Sequence, residues 1–272
     1  MEQETLPKGR GRRLLERVLL AVSLAIMLVF LVEAALALRA ILSDSDAPDA
    51  AVAGDVRRLA VLLADDPTLV NAQFGGNPLL VSAVNRRGRK AVELLLDRGA
   101  DPNARRLGGG TALHMAAALA VPDIAELLIS RGADPNASDY NGDTPLHNTS
   151  GVPHVPWEGR LAVMQVLIEA GADVNADNRY GETPMYHAAG DWRSNTPQAI
   201  ALLASAGAKV DAQDWRGRTP LHFAAAEGNS GAAQSLLQLG ADPNAVDRDG
   251  ESVLDLARED RLSLFLQQHG AK

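Results

Sequence analysis

Two hydrophobic patterns divide the chain near residue 42. Residues 18–38 are almost continuously apolar, whereas from about residue 50 apolar residues recur three and four positions apart in short blocks such as Val92, Leu95 and Leu96. A continuous apolar run is typical of a membrane-spanning helix, and the i, i+3, i+4 pattern predicts amphipathic helices that bury one face. The sequence therefore predicts one N-terminal apolar helix followed by a body of short packed helices.

The apolar segment is long enough to cross a bilayer. Residues 19–38 would form about 30 Å of α-helix, which matches the hydrocarbon core of a membrane. Glu33 costs at most about 3 kcal/mol, which is less than the thirteen Val, Leu, Ile and Phe side chains between Val18 and Leu38 contribute at about 0.3–0.6 kcal/mol each. We therefore expect a transmembrane helix within residues 18–42.

Charges on the two sides of this segment predict its orientation. Five basic residues lie within residues 1–17, whereas the polar linker 43–49 contains three aspartates and no Lys or Arg. The positive-inside rule then places the N-terminus in the cytoplasm and exports the rest, as a single-pass signal anchor. In a bacterium the body would be periplasmic.

Two other interpretations of the apolar segment stay open. Ala35-Leu36-Ala37 has the small-x-small form of a cleavage site, so a cleaved signal peptide would release a secreted or periplasmic body. A buried core helix is the third interpretation, although a long uncharged run beside a basic cluster is uncommon in soluble domains.

Two short motifs recur in register through the body. A hexapeptide that reads GADPNA, GADVNA or GAKVDA begins at Gly99, Gly132, Gly171, Gly207 and Gly240. A motif related to Thr-Pro-Leu-His follows each copy after eleven or twelve residues. Thr caps a helix and Pro fits its first position, while Gly tolerates the left-handed conformation that ends a helix. Each unit is therefore predicted to hold two short antiparallel helices.

A unit of about 33 residues with Thr-Pro-Leu-His resembles the ankyrin repeat, and the resemblance covers residues 50–272. It implies an all-α solenoid of about six repeats, each a helix-turn-helix with a β-hairpin finger, after one N-terminal transmembrane helix. The first and last repeats are expected to be degenerate. Ankyrin repeats imply capture of a protein partner through the fingers and the concave face, and they leave the partner open.

The layout is also similar to that of membrane-anchored bacterial envelope ankyrin proteins. That similarity implies a role in envelope stress defence or toxin neutralisation. The predicted organisation is a basic cytoplasmic N-terminus (1–17), a signal-anchor helix (18–42), a polar linker (43–49) and an ankyrin domain (50–272).

Aromatic and arginine residues at the finger tips and in two insertions are the candidate partner-binding residues. Tyr, Trp and Arg dominate binding hot spots, and exposed aromatic residues are poorly explained by solubility alone. The insertions, residues 150–159 and 190–195, both fall between the two helices of a repeat. The candidates are Arg105, Arg106, Tyr140, Arg179, Tyr180, Trp215, Arg216, Arg248, Trp157 and Trp192.

Composition and motif searches disfavour other functions. After residue 42 the chain carries 20 basic and 30 acidic residues, so a nucleic-acid partner is not expected. There is no cysteine and no recognised catalytic motif, and the ankyrin pattern implies a structural role for His114, His147 and His222. We expect no catalytic site, metal or cofactor. The alternative is an enzyme or transport-complex component that uses the inserted loops.

Overall fold

The computed structural model describes residues 46–150, 157–191 and 196–272. Among these residues no helix is both long and apolar enough to cross a membrane. The predicted signal anchor, residues 18–42, lies outside the described residues. Contacts divide the chain into residues 1–47 and a larger unit, residues 48–272, and the second unit is the one described below.

In the described ranges, short α-helices form most of this unit, and a two-stranded hairpin lies near its beginning. Residues 48–53 of this unit are helical, and 3-10 helices lie at Pro67–Asn71 and His147–Thr149. Strand β1 (Gln73–Phe74) pairs antiparallel with β2 (Asn77–Pro78). The α-helices are α1 (Val56–Asp65), α2 (Leu79–Asn85), α3 (Arg89–Asp97), α4 (Ala112–Ala118), α5 (Pro122–Ser130), α6 (Trp157–Glu169), α7 (Pro184–Gly190), α8 (Thr196–Ser205), α9 (Pro220–Ala226), α10 (Ser230–Gln238) and α11 (Asp260–Gln268).

Helix starts follow the predicted capping chemistry. Helices α4, α7 and α9 begin directly after Thr111, Thr183 and Thr219. In α4 the ring of His114 accepts a hydrogen bond at Nδ1 from the Thr111 N–H at 3.0 Å. This satisfies a backbone donor that a helix N-terminus would otherwise leave unpaired. The predicted helix-turn-helix unit is confirmed for the repeats that begin at Thr111, Thr183 and Thr219.

Two repeats lack a regular first helix: an internal repeat, contrary to the prediction of two helices per unit, and the last repeat, which the sequence predicts to be degenerate. In the repeat that begins at Thr144, a 3-10 turn at His147–Thr149 replaces the α-helix. The hydroxyl of Thr149 donates to the carbonyl of Leu146, so the side chain competes with helical backbone bonding. In the last repeat, residues 253–256 form turns before α11.

Successive repeats share one apolar core. The residue two positions after the Thr that opens a repeat is at most 1% exposed in four cases: Leu113, Leu146, Met185 and Leu221. In the last repeat Val253, directly after Ser252, is the fully buried residue instead. Helices α4, α7 and α9 each pack against the matching element of a neighbouring repeat. Because no single helix pair can bury both of its faces, this stacking supplies most of the stability of the solenoid.

Candidate protein-binding surface on the fingers

The hexapeptide lies in the loop between two successive repeats, and its asparagine hydrogen-bonds the corresponding loop of the next repeat. Asn136 Oδ1 accepts a hydrogen bond of 2.7 Å from the Asp173 N–H, and its Nδ2 donates to the Gly171 carbonyl at 3.0 Å. Asn71, Asn103 and Asn175 make the same pair of bonds to the next repeat, and Asn244 makes it to the C-terminal residues. The recurring motif is therefore a bridge between repeats.

The aspartate of the motif closes a local turn. Asp134 Oδ1 accepts from the Asn136 N–H at 2.8 Å, which positions the asparagine for its bridge. The GAKVDA copy has Lys209 and Asp211 at these positions. Asp211 accepts from the Asp242 N–H at 3.3 Å, but its carboxylate has no N–H to offer the Gly240 carbonyl. Burial and the nearby charge of Asp242 raise the pKa of Asp211.

Five consecutive loops, named fingers 1 to 5, cover residues 105–110, 138–143, 177–182, 213–218 and 246–251. In finger 4, Asp214 Oδ1 accepts from the N–H groups of Arg216 and Arg218, both at 2.8 Å. Asp139, Asn178 and Asp247 close the turns of fingers 2, 3 and 5 in the same way. In each of these fingers, the side-chain hydrogen bonds hold the two residues that follow the Asp or Asn at the tip of the turn.

Backbone hydrogen bonds link each finger to the one before it. The Trp215 N–H donates to the Tyr180 carbonyl at 2.8 Å, and the Arg248 N–H donates to the Arg216 carbonyl at 2.8 Å. A glycine in the preceding finger allows this approach, because a Cβ at Gly181 would lie 3.0 Å from the Trp215 nitrogen. Equivalent residues at the five tips, called the tip row, are Leu107, Tyr140, Arg179, Trp215 and Arg248.

The predicted aromatic residues are exposed at these tips. Tyr140 is 59% exposed, Tyr180 is 47% exposed and Trp215 is 57% exposed. The Arg216 guanidinium lies 5.5 Å from the centre of the Trp215 ring, at cation–π distance. These rings are held on adjacent rigid turns and face solvent, as hot-spot residues of a free binding surface do.

Tyr186 supports the finger that presents Trp215. It stands where other repeats have histidine, and its hydroxyl donates to Asp214 Oδ2 at 3.1 Å. Its ring stacks on Phe223 with centroids 4.6 Å apart. Burial, with Asp214 nearby, raises the pKa of Tyr186 well above its ordinary value. The hydroxyl therefore stays a donor and holds finger 4 to the helical layer.

The predicted arginines fall into two groups. Arg105 donates to the carbonyls of Gly109 and Ser138, and Arg106 Nε is buried without a hydrogen-bond partner in the described residues. Arg179, Arg216 and Arg248 are exposed, and none of their side chains forms an ion pair or hydrogen bond within the described part of the chain. The second group is available to a partner.

Arg218 differs from its exposed neighbour Arg216. Its Nε lies 2.9 Å from Asp247 Oδ2 and its Nη2 lies 2.8 Å from Glu251 Oε2. Burial alone would raise the pKa of Asp247, but Arg218 and the two backbone N–H groups outweigh that effect and lower it. This ion pair joins fingers 4 and 5 and does not contribute a free charge to the surface.

The two insertions are described only at their bases. Residues 151–156 and 192–195, with Trp192, lie outside the described residues, and Trp157 is the first residue of α6. Arg160 Nη1 lies 2.6 Å from Asp191 Oδ2, which ties the base of one insertion to the base of the other. The Asn229 side chain donates to the Asp191 carbonyl at 2.8 Å. The structure therefore brings the bases together without placing either tryptophan side chain.

Sequence reasoning missed two exposed apolar residues on the fingers. Leu107 is 76% exposed in finger 1, and Val246 is 52% exposed in finger 5. Leu107 is the tip-row residue of its finger, and its N–H donates to the Gly76 carbonyl at 2.7 Å. Alignment of the fingers on their glycines would have identified it as equivalent to Tyr140.

The motif histidines are structural, as the family resemblance implied. His114 and His147 bond a Thr hydroxyl on one side and a carbonyl of the next repeat on the other, the latter at 3.0 and 3.1 Å. Burial lowers the pKa of His114, His147 and His222. Within the described residues, no group of three or more His, Asp or Glu residues could hold a metal ion.

Comparisons with known proteins agree with this architecture. The family model described as "Ankyrin repeats (3 copies)" matches residues 80–151 and 153–247. The crystal structure of the ankyrin repeat domain of Bcl-3, described as a unique member of the IkappaB protein family, is 26% identical with a TM-score of 0.67. That match covers 82% of this chain and 97% of the Bcl-3 chain. A search of curated proteins finds no match. The chain therefore belongs to the ankyrin-repeat family, whose repeats are protein–protein interaction modules.

Proposed function

We propose that the chain is a membrane-anchored module that captures a protein partner through its fingers. The observation that carries this proposal is the tip row with its neighbours Tyr180 and Arg216. Exposed aromatic residues follow one another there with arginines that form no ion pair or hydrogen bond within the described residues, on turns that the fold already holds rigid. A preordered surface loses little conformational entropy on binding, so its contacts translate efficiently into affinity.

Crosslinking from the tip row tests this function. A photo-reactive phenylalanine derivative, which keeps an aromatic ring at the position, replaces Trp215 in the full chain, and a matched control carries it at Leu264, which is 57% exposed in α11. We expect a protein that crosslinks from position 215 and not from position 264. Once identified and purified, that protein must bind the unmodified chain in solution and lose binding when Trp215 is replaced by Ala, which removes the ring. Equal crosslinking from both positions would contradict the proposal.

Membrane anchoring rests on the sequence of residues 1–42. The support is a twenty-residue apolar stretch that follows five basic residues and precedes three aspartates. A reporter that is active only outside the cytoplasm, fused after Lys272, tests the orientation. We expect activity in the membrane fraction. Activity in the soluble fraction would indicate a cleaved signal, and an inactive reporter would overturn the exported orientation.

The cellular role proposed for this module is envelope stress defence or toxin neutralisation. Its support is the similarity of layout between this chain and membrane-anchored bacterial envelope ankyrin proteins. An exported binding domain held at a membrane is suited to intercept another exported protein. Deletion of the gene followed by growth under oxidative stress or in the presence of competing cells tests it. Unchanged survival in both conditions would contradict the role and leave the binding function untouched.

A further inference from the structure

We propose that fingers 3 to 5 bind an acidic, extended segment of the partner, and that its apolar continuation lies on fingers 1 and 2. This inference rests on the proposed function, because it specifies the chemistry of the partner that the fingers would capture. It is carried by the order of the side chains along the tip row and by the charges among them.

The tip row is polarised along the solenoid. It begins with Leu107 and Tyr140, which are 76% and 59% exposed, and continues with Arg179, Trp215 and Arg248. Backbone hydrogen bonds from finger to finger keep these positions in a line. An extended chain that crosses the tip row would therefore meet two apolar or aromatic side chains first and then two arginines on either side of a tryptophan.

On fingers 3 to 5, arginine and aromatic residues alternate along the tip row, and the neighbouring row adds one more ring and one more arginine. The tip row reads Arg179, Trp215, Arg248, and the following positions hold Tyr180, Arg216 and Asp249. Each exposed ring thus has guanidinium groups on the adjacent finger positions. Aromatic faces can cover the apolar part of a bound segment while the guanidinium groups pair with its carboxylates.

The chain pairs only some of its arginines with its own carboxylates. It has 34 acidic and 26 basic residues, and Arg89, Arg131, Arg160 and Arg218 all pair with carboxylates. Arg179, Arg216 and Arg248 have no such partner in the described residues, although Asp177 and Asp249 are exposed on the same fingers. Three free charges on three consecutive fingers are therefore complementary to carboxylates on another molecule.

Anionic membranes and nucleic acids fit this surface less well than an acidic protein segment. Residues 43–272 carry ten more acidic than basic residues, counted as 30 against 20. A broad anionic surface would be repelled by that excess, because its charges extend beyond the three arginines. A single extended segment would place its carboxylates at the arginines and avoid the rest of the body.

Peptide binding by fluorescence anisotropy tests the inference. The probe is a labelled twelve-residue peptide with a Leu/Phe half and a Glu/Phe half, compared with peptides that have Gln or Lys in place of Glu. The protein is the full chain in detergent. We expect the Glu peptide to bind at least tenfold more tightly than the Gln peptide, with weaker binding as salt is raised. Equal binding of the three peptides would overturn the inference.

Matched triple variants assign the binding to the proposed residues. Arg179→Gln with Arg216→Gln and Arg248→Gln removes the three finger charges, whereas Lys90→Gln with Arg98→Gln and Arg261→Gln removes three exposed charges elsewhere. We expect the first variant to lose at least tenfold in affinity for the Glu peptide and the second to bind within twofold of the wild type. An equal loss in both variants would show general electrostatics and overturn the inference.

Two further probes distinguish the other polyanions. Phosphatidylserine vesicles and a single-stranded oligonucleotide are titrated under the same conditions. Tighter binding of either one than of the Glu peptide would overturn the acidic-segment inference. If the crosslinked partner contacts the fingers through a segment without carboxylates, this inference fails while the protein-binding function stands.

Discussion

Asn136 and Asp173 connect two successive repeats through a hydrogen bond of 2.7 Å from the Asp173 N–H to Asn136 Oδ1. The same asparagine donates to the Gly171 carbonyl at 3.0 Å, so one side chain satisfies both a donor and an acceptor of the neighbouring loop. The repeated hexapeptide is therefore as much a connection between repeats as a turn within one. The binding surface depends on it because each finger follows directly after this bridge.

Loss of one bridge should weaken the junction it spans. We expect Asn136→Ala to lower the free energy of unfolding by about 1–3 kcal/mol, since two hydrogen bonds are lost and one carbonyl and one N–H lose their partners. Chemical denaturation followed by circular dichroism measures it. Asn148→Ala, in the irregular turn of the same repeat, is the control. An effect no larger than that of the control would contradict the structural role.

The GAKVDA copy offers the opposite test. Asp211→Asn should stabilise the domain by about 1 kcal/mol, because the amide can donate to the Gly240 carbonyl and no longer repels Asp242. The raised pKa of Asp211 gives the sign: the folded state favours the neutral form, so removing the charge favours folding. A melting temperature unchanged or lowered by Asp211→Asn would contradict this reading.

Gly159 marks a close approach between α6 and the loop before α5. A Cβ at this position would lie 2.6 Å from the Ala120 carbonyl oxygen, and backbone cannot move aside as a flexible side chain can. We expect Gly159→Ala to destabilise the domain by about 1–3 kcal/mol. Gly99→Ala is not a fair control because its φ is +89°. Gly231→Ala, with its nearest contact at 3.7 Å, should change stability far less.

Buried histidines should make stability depend on pH. Burial lowers the pKa of His114, His147 and His222 in the folded state, so below about pH 6.5 the unfolded chain binds more protons than the folded one. Stability should therefore fall as pH drops from about 6.5 towards the lowered folded values, by up to about 1.4 kcal/mol per pH unit for each histidine.

The slope of stability against pH isolates this effect. His114→Gln should lower stability at pH 8 but reduce the slope between about pH 6.5 and pH 5, because one differential proton is removed. Denaturation curves at several pH values give both quantities. An identical slope in the variant and the wild type would show that His114 does not contribute to the pH dependence.

Local chemistry was predictable from the sequence, whereas contacts between repeats were not. The helix starts after Thr111, Thr183 and Thr219 depend on residues adjacent in sequence, and the structure confirms them. The 3-10 turn at His147–Thr149 was missed because Thr149 bonds the Leu146 carbonyl, a choice that propensity alone does not fix. This turn leaves the repeat that begins at Thr144 without its expected first α-helix.

On the candidate surface, too, local features were predictable from the sequence and contacts between repeats were not. The exposure of Tyr140 and Trp215 follows from the spacing of the fingers, which the hexapeptide register reveals. Arg105 was predicted as a partner-binding residue, yet its guanidinium donates to the carbonyl of Ser138, 33 residues away. Only the stacked fold brings those groups together. The inserted tryptophans, Trp157 and Trp192, remain predictions because the structure describes neither side chain.

The most direct test of the protein-binding claim is the double substitution Trp215→Ala with Arg216→Ala. The measurement is the affinity of this variant for the protein crosslinked from position 215, with circular dichroism and thermal melting on the same sample. Both side chains point to solvent, so helicity and melting should stay unchanged while affinity falls at least a hundredfold, about 2.7 kcal/mol. Intact binding by a folded variant would contradict the account.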